Sequence, residues 1–342
     1  MASTRPQRTT IQDVAHRAGV SKSAVSKVLN NAYGVSPEML EKVNRAIEDL
    51  DYRPKAGARA MRGRTYTVGV LLVDIGSPFA PVIIEGIQEE LEQTPFEVIL
   101  AASTNEDQRQ RRSVETLVDR QVDGLIMVAP AVGQDWLEKI AAQVPTVVIA
   151  RHGGGRNYDS VVDDDIVGAG LVIDHLTALG HRSICHIAPP SGALKRPQVL
   201  AHAARTEGYV AAMRDRGLEP DVLYTSFTED GGYQGAQTAL RRAERPTAIF
   251  AGADAAALGV LRAAHELGLR VPEDLSVVGY DNTSVGALPQ IGLTSVDQSG
   301  RMTGATSARL LHERISGRTS PVLFSITPTL VLRSTSGTHS ES

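Results

Sequence analysis

The sequence predicts an α/β protein: an N-terminal three-helix head containing a helix-turn-helix, a hinge, and then two doubly wound α/β subdomains. Three observations predict it. Residues 10–50 place apolar side chains at helical spacing in three short blocks. From Thr67 onward, β-branched apolar runs alternate with helical stretches. The charge divides at the same place: the first 64 residues hold twelve Lys and Arg against six Asp and Glu, a net +6, and the rest of the 342-residue chain carries −10. A basic head on an acidic body directs the head towards a polyanion.

The head is read first. In TIQDVAHRAGVSKSAVSKVLN, Ile11, Val14, Ala15 and Ala18 form one apolar stripe, and Ala24, Val25, Val28 and Leu29 form another. Thr10 with Asp13 makes a capping box for the first helix, and Ser21 caps the second. Gly19 between them supplies the left-handed backbone of a tight turn. This is the pattern of a helix-turn-helix, whose second helix enters the DNA major groove. An ordinary helical hairpin shows the same local signals, but Ser21 to Asn30 contains no acid, and Lys22, Ser23, Ser26 and Lys27 share the face opposite the stripe. Donor side chains without carboxylates suit a groove flanked by phosphates. A third helix starts at Ser36-Pro37, with Leu40, Val43, Ile47 and Leu50 as its stripe, and ends before Pro54.

Residues 55–64, KAGARAMRGR, have too few apolar residues for a core but are basic and mostly helix-permissive. They are either a linker or a helix completed by DNA contacts. Beyond them, VGVLLVD, FEVILAAS, VDGLIMVAP and PTVVIAR read as buried parallel strands, with helices near 80–93, 106–121 and 134–143. A second set, SICHIAP, VLYTSF, TAIFAG and LSVVGYD, alternates with helices near 165–179, 201–216, 231–243 and 254–267. A helix near 299–316 and strands near 322–325 and 329–333 complete the chain. Two runs of βα units imply two lobes with a cleft at the carboxyl ends of their strands, where ligands bind.

Several classes are set aside. The lone Cys185 rules out an internal disulfide. No apolar signal core or membrane-length segment is present, so a cytoplasmic protein without membrane contact is expected. HGGG at 152–155 suggests an oxyanion loop, but there is no G-x-S-x-G elbow. His175, His181 and His186 do not share one face, so no metal site is expected, and Asp165 reads as part of a helix cap. Without a phosphate loop, neither a cofactor nor an enzyme is expected.

At this point the chain resembles the lactose/galactose-repressor family of bacterial transcription regulators. The resemblance runs from Thr10 to about Arg333. It is carried by TIQDVAHRAGVSKSAVSKVLNN, VSPEMLEKVNRAIEDLDYRPKAGARAMRG, SPFAPVIIEGI, VDGLIMVAP, DHLTALGHRSICHI, ARTEGY, GLRVPEDLSVVGYDNT and TSVDQ. It implies a head at 1–54, a hinge helix at 55–65 and a core of periplasmic-binding-protein type at 66–336 that dimerises. Lobe 1 would be about 66–164 plus 296–326 and lobe 2 about 165–295 plus 327–336, with a tail at 337–342. A transcriptional repressor follows, its affinity for a near-palindromic operator modulated by a small molecule, a sugar or related metabolite, between the lobes. A solute-binding protein of the same core fold is the alternative, but it needs no basic head.

Residue by residue, the resemblance places DNA contacts at Thr10, Ser21, Lys22, Ser23, Ser26, Lys27, Asn30, Tyr52, Arg59 and Met61. Met61 stands where a leucine commonly wedges into the minor groove. Effector contacts fall on Phe79, Arg151, Arg205, Phe227, Asp281 and Gln298. Three positions depart from the family pattern. Gly57 weakens the hinge helix, Ala150 replaces a common Asp, and Ala253 replaces the usual Asn, which makes a simple hexose a less natural ligand.

Overall fold

The computed structural model describes residues 9–29, 34–52, 64–190 and 200–339. The chain divides into two compact units, Met1–Thr65 and Tyr66–Ser342. In the first unit, α1 (Ile11–Ala18), α2 (Lys22–Leu29) and α3 (Pro37–Asp49) enclose a small core of Val14, Val25, Val28, Val43 and Ala46. The predicted caps form. Thr10 Oγ1 accepts from the Asp13 amide, and the Asp13 carboxylate accepts from the Thr10 amide at 2.7 Å. Ser21 Oγ accepts from the Ala24 amide at 3.1 Å. Gly19 turns the chain at φ 67°, a conformation in which a Cβ would crowd the backbone.

The second unit holds two six-stranded sheets among the described residues. The first sheet is built from β1 (Thr67–Leu72), β2 (Glu97–Ala102), β3 (Gly124–Val128), β4 (Thr146–Ile149), β5 (Asp159–Asp163) and β11 (Leu323–Ile326). Its order is β11-β5-β4-β3-β1-β2, parallel throughout. The second sheet contains β6 (Ile184–Ala188), β7 (Asp221–Tyr224), β8 (Ala248–Ala251), β9 (Ser276–Tyr280), β10 (Thr294–Asp297) and β12 (Thr329–Val331). Its order is β12-β10-β9-β8-β6-β7, and only β12 runs antiparallel to its neighbour. Helices cover the faces: α4 (Ala80–Leu91), α5 (Asp107–Asp119), α6 (Gln134–Ala141) and α11 (Gly300–Ile315) with the first sheet, and α7 (Asp165–Ala178), α8 (Ala201–Asp215), α9 (Glu229–Leu240) and α10 (Asp254–Glu266) with the second.

Two strands were not expected, β5 and β10. The sequence DSVVD begins and ends with carboxylates, yet every residue of β5 is buried. Asp159 makes this possible by accepting from Arg314 at 2.9 Å, Arg318 at 2.6 Å and the Val322 amide at 2.8 Å. A buried carboxylate so fully bonded can remain charged inside a sheet. The chain passes between the sheets after β5, after β10 and after β11. Val296 pairs with Tyr280 and Leu330 in the second sheet, so the second crossing falls after Asp297 rather than at 296.

Lobe 1 depends on a close helix pair. A Cβ on Gly304 of α11 would lie 2.0 Å from the Ile83 carbonyl of α4, and one on Gly86 would lie 2.0 Å from the Arg301 carbonyl. Neither helix backbone can yield to a methyl group. Gly304→Ala should therefore lower core stability by at least about 2 kcal/mol in urea unfolding. Gly170 of α7 faces open space, so Gly170→Ala should raise stability by about 1 kcal/mol through helix propensity alone.

Candidate functional site

The carboxyl ends of both sheets meet around a cavity of about 690 Å³. Ala129, Ala150 and Asp163, at the ends of β3, β4 and β5, line it from lobe 1. Thr225, Ala253 and Asp281, just beyond β7, β8 and β9, line it from lobe 2. Ala129, Ala150 and Asp281 hold positive φ values of 47°, 57° and 116°, a conformation costly for residues with a Cβ. The strain lies where the chain turns sharply off each strand, on the cavity wall.

Two aromatic side chains stand on opposite lobes of this wall. Phe79 precedes α4 and packs where Gly300 leaves room; a Cβ there would lie 2.5 Å from its ring. Phe227 follows β7 and rests against Gly252 in the same way, also at 2.5 Å. Both are half-buried and line the cavity.

Behind Phe227 sits a buried polar network. Arg205 of α8 is 4% exposed, and its Nε and Nη2 donate to Asp165 Oδ1 at 3.0 and 2.7 Å. Nη1 donates to the Gly252 carbonyl, and the guanidinium stacks 3.4 Å from the Tyr280 ring centroid. Burial by itself would lower the Arg205 pKa, but the charges of Asp165, Tyr280, Asp163 and Asp281 outweigh it and raise it. Tyr280 donates to Asp163 Oδ2 at 2.5 Å, joining β9 of lobe 2 to β5 of lobe 1. His152, just after β4, lies 2.8 Å from Asp165 Oδ2 and makes a second link between lobes. Burial opposes protonation of His152, but Asp165, with Asp163 and Asp164, raises its pKa overall. Asp163 is pushed up to about 6 by burial and by the Asp165 charge. Asp281 is held well above the carboxylate range by burial and by Asp254, and accepts from Gln298 Nε2 at 2.5 Å.

Of the sequence-predicted effector residues, Phe79, Arg205, Phe227, Asp281 and Gln298 all line this cavity. Arg205 reaches it with its guanidinium already bonded within the protein. Arg151 is a correction. It is buried beside the cavity but does not appear among its described lining residues, because its guanidinium donates to the Pro130 and Val132 carbonyls and to Gln134. Asp165 and His152 were missed as parts of the site, the first read as a helix cap and the second within a loop set aside. His202, one turn before Arg205 on α8, was also missed; that spacing is the signal that could have found it.

In the head, Thr10, Ser21, Lys22, Ser23 and Lys27 are exposed and Ser26 is half-buried. Neither lysine forms an ion pair among the described residues. Tyr52 is only 9% exposed and packs into the head core. Asn30, Gly57, Arg59 and Met61 lie outside the described residues.

A capped helix pair with an acid-free second helix, joined in one chain to a two-lobed ligand-binding core, defines a DNA-binding regulator with a sensory domain. Comparison with known proteins agrees. Residues 10–55 match the model of bacterial regulatory proteins of the lacI family, and residues 173–336 match a periplasmic binding protein-like domain. The chain is 34% identical to catabolite control protein A of Priestia megaterium, over 91% of this chain and 93% of that protein. It is 33% identical to the ribose operon repressor of Escherichia coli, over 95% and 98% of the two chains. A solved lac repressor dimer bound to operator and an anti-inducer superposes with a TM-score of 0.81 at 28% identity, covering 97% of this chain and all of that one. The chain belongs to the LacI family of bacterial regulatory proteins: it is a DNA-binding transcriptional regulator whose output is modulated by a ligand, not an enzyme.

Two outcomes test the network. Asp165→Ala leaves the Arg205 cation buried and unpaired, and should cost the core about 3–5 kcal/mol in urea unfolding. Asp163 binds its proton more tightly folded than unfolded, so its contribution to stability is full below the unfolded value near 4 and is lost as pH rises through about 6. Asp163→Asn, neutral throughout, should therefore gain about 2 kcal/mol on the wild type between pH 4 and 7. A difference that does not vary with pH overturns this reading.

Proposed function

We propose that α2 reads the major groove of an operator through Lys22, Ser23 and Lys27, that two copies of the chain bind a near-palindromic site, and that the effector lies in the cavity between the lobes. The observation that carries the reading is the pairing of an exposed, acid-free α2 with a cavity walled by both lobes. The bacterial cytoplasm, where operator DNA is found, is the proposed location; no helix among the described residues is long and apolar enough to cross a membrane.

The mechanism is a shift in population. His152–Asp165 and Tyr280–Asp163 join the lobes, and Phe79 and Phe227 line the cavity from different lobes. A ligand touching both rings binds best at one lobe spacing, and so favours that arrangement over others. Operator affinity changes by the difference in free energy with which the ligand binds the two arrangements.

Duplex binding by the full chain tests the DNA half. Contacts to several phosphates should give a slope of log K against log salt of roughly −5 or steeper. Lys27→Ala should relax base preference at one symmetric operator position, by about 1–3 kcal/mol in randomised-operator selection. An unchanged preference profile would exclude Lys27 from base reading.

A further inference from the structure

The cavity wall is largely apolar, and most of its polar side chains already have partners. Leu72, Ile83, Val128, Ile149 and Leu200 contribute hydrocarbon to it. Arg205 is bonded to Asp165 and Gly252, Asp281 to Gln298, and Asp107 to Arg111 at 2.5 Å. Thr228 caps α9 through the Gly231 amide.

Two polar atoms on this wall differ from the rest. Among the described residues, six buried side-chain nitrogen or oxygen atoms have no hydrogen-bond partner, and two of them, His202 Nε2 and Thr225 Oγ1, belong to cavity-lining residues of lobe 2. Leaving such a group unbonded costs about 1–3 kcal/mol, so folded proteins do so rarely and usually for a use. The two residues flank Phe227. The His202 ring meets the Phe227 ring edge-on at 6.2 Å between centroids, and Thr225 lies two residues before it. Burial, together with the Arg205 cation, lowers the His202 pKa to about 4, so the imidazole is neutral at physiological pH. A neutral imidazole and a hydroxyl suit an uncharged partner that both donates and accepts. Both side chains line the cavity, and a rotation about χ1 of Thr225 or χ2 of His202 moves the unbonded atom without moving the backbone.

We infer that the effector is an uncharged aromatic alcohol, its ring system held between Phe79 and Phe227 and its hydroxyl group read by His202 and Thr225. The inference rests on the reading of this cavity as the effector site, and it names what the site selects. Polar side chains such as Asn105, Asp163 and Ser226 also reach the wall, but His202 and Thr225 are the ones beside Phe227 whose buried polar atoms are unbonded. A fused or linked pair of rings finds apolar surface on both lobes, and its hydroxyl relieves the two unbonded atoms.

The test is calorimetric titration of the full chain with 2-naphthol, 4-hydroxybiphenyl, naphthalene-2-carboxylate and D-glucose. The two alcohols should bind at one per chain, with the carboxylate and glucose at least tenfold weaker. His202→Leu and Thr225→Val should each weaken the alcohols about tenfold, the loss of one hydrogen bond. Their unliganded melting temperatures should be unchanged or higher, because each removes an unbonded polar group. A merely structural role would lower the melting temperature and leave affinity alone. Phe227→Ala should weaken the alcohols as well, which separates binding in the cavity from adsorption elsewhere. Glucose or the carboxylate binding more tightly than both alcohols, no alcohol binding, or alcohol affinity unchanged in both His202→Leu and Thr225→Val overturns the inference. If glucose alters operator affinity and the alcohols do not, the cavity remains the effector site and only the ligand class falls. Failure of every ligand with intact operator binding would count against the cavity itself.

Discussion

The buried pair of Asp165 and Arg205 is the interaction on which the ligand-binding half depends. Asp165 is the first residue of α7, at the point where the chain leaves one lobe for the other. Its carboxylate takes Arg205 on one oxygen and His152 on the other. Through Arg205 the same charge fixes the Gly252 carbonyl at the end of β8 and lies against the Tyr280 ring of β9. Removing two ions from water is costly, and their attraction compensates only when the remaining donors and acceptors are also satisfied. Here they are, by backbone and side chains from both lobes. The pair therefore does more than stabilise: it sets the registry of five chain segments around one cavity.

This placement also decides what Arg205 can offer a ligand. An arginine with free N–H groups would clamp a carboxylate or phosphate bidentately. Three donor contacts of Arg205 are made within the protein, and its face is covered by Tyr280. Its charge still acts at short range, where it lowers the pKa of His202 one turn away. Burial is the larger cause of that lowering, and the cation adds to it.

The legible parts of this chain are the local ones. Thr10 with Asp13, Ser21 and Gly19 mark the head helices from within a few residues, and all of them act as read. The apolar runs of the parallel strands are equally self-declaring. What escaped depends on partners far along the chain. β5 looks too polar for a buried strand until Arg314, 155 residues beyond Asp159, is seen to pair with it. Asp165 resembles a helix cap because its role comes from Arg205, 40 residues on. Tyr52 stands at the end of the third helix, and only the closure of three helices turns its ring inward. Arg151 has the right chemistry for a ligand contact, but the carbonyls of Pro130 and Val132 claim it first.

How strongly such a core can signal is limited by how differently the ligand binds its arrangements. A ligand held by one lobe alone has equal affinity for open and closed forms, and shifts nothing however tightly it binds. The two aromatic side chains on the cavity wall sit on different lobes: Phe79 against Gly300 at the start of α11, Phe227 against Gly252 beyond β8. Tyr280–Asp163 and His152–Asp165 link the two lobes directly. On the proposed reading, a ligand that touches both rings would sense lobe spacing, and the free energy it could pass on is the part of its binding that is lost at the wrong spacing.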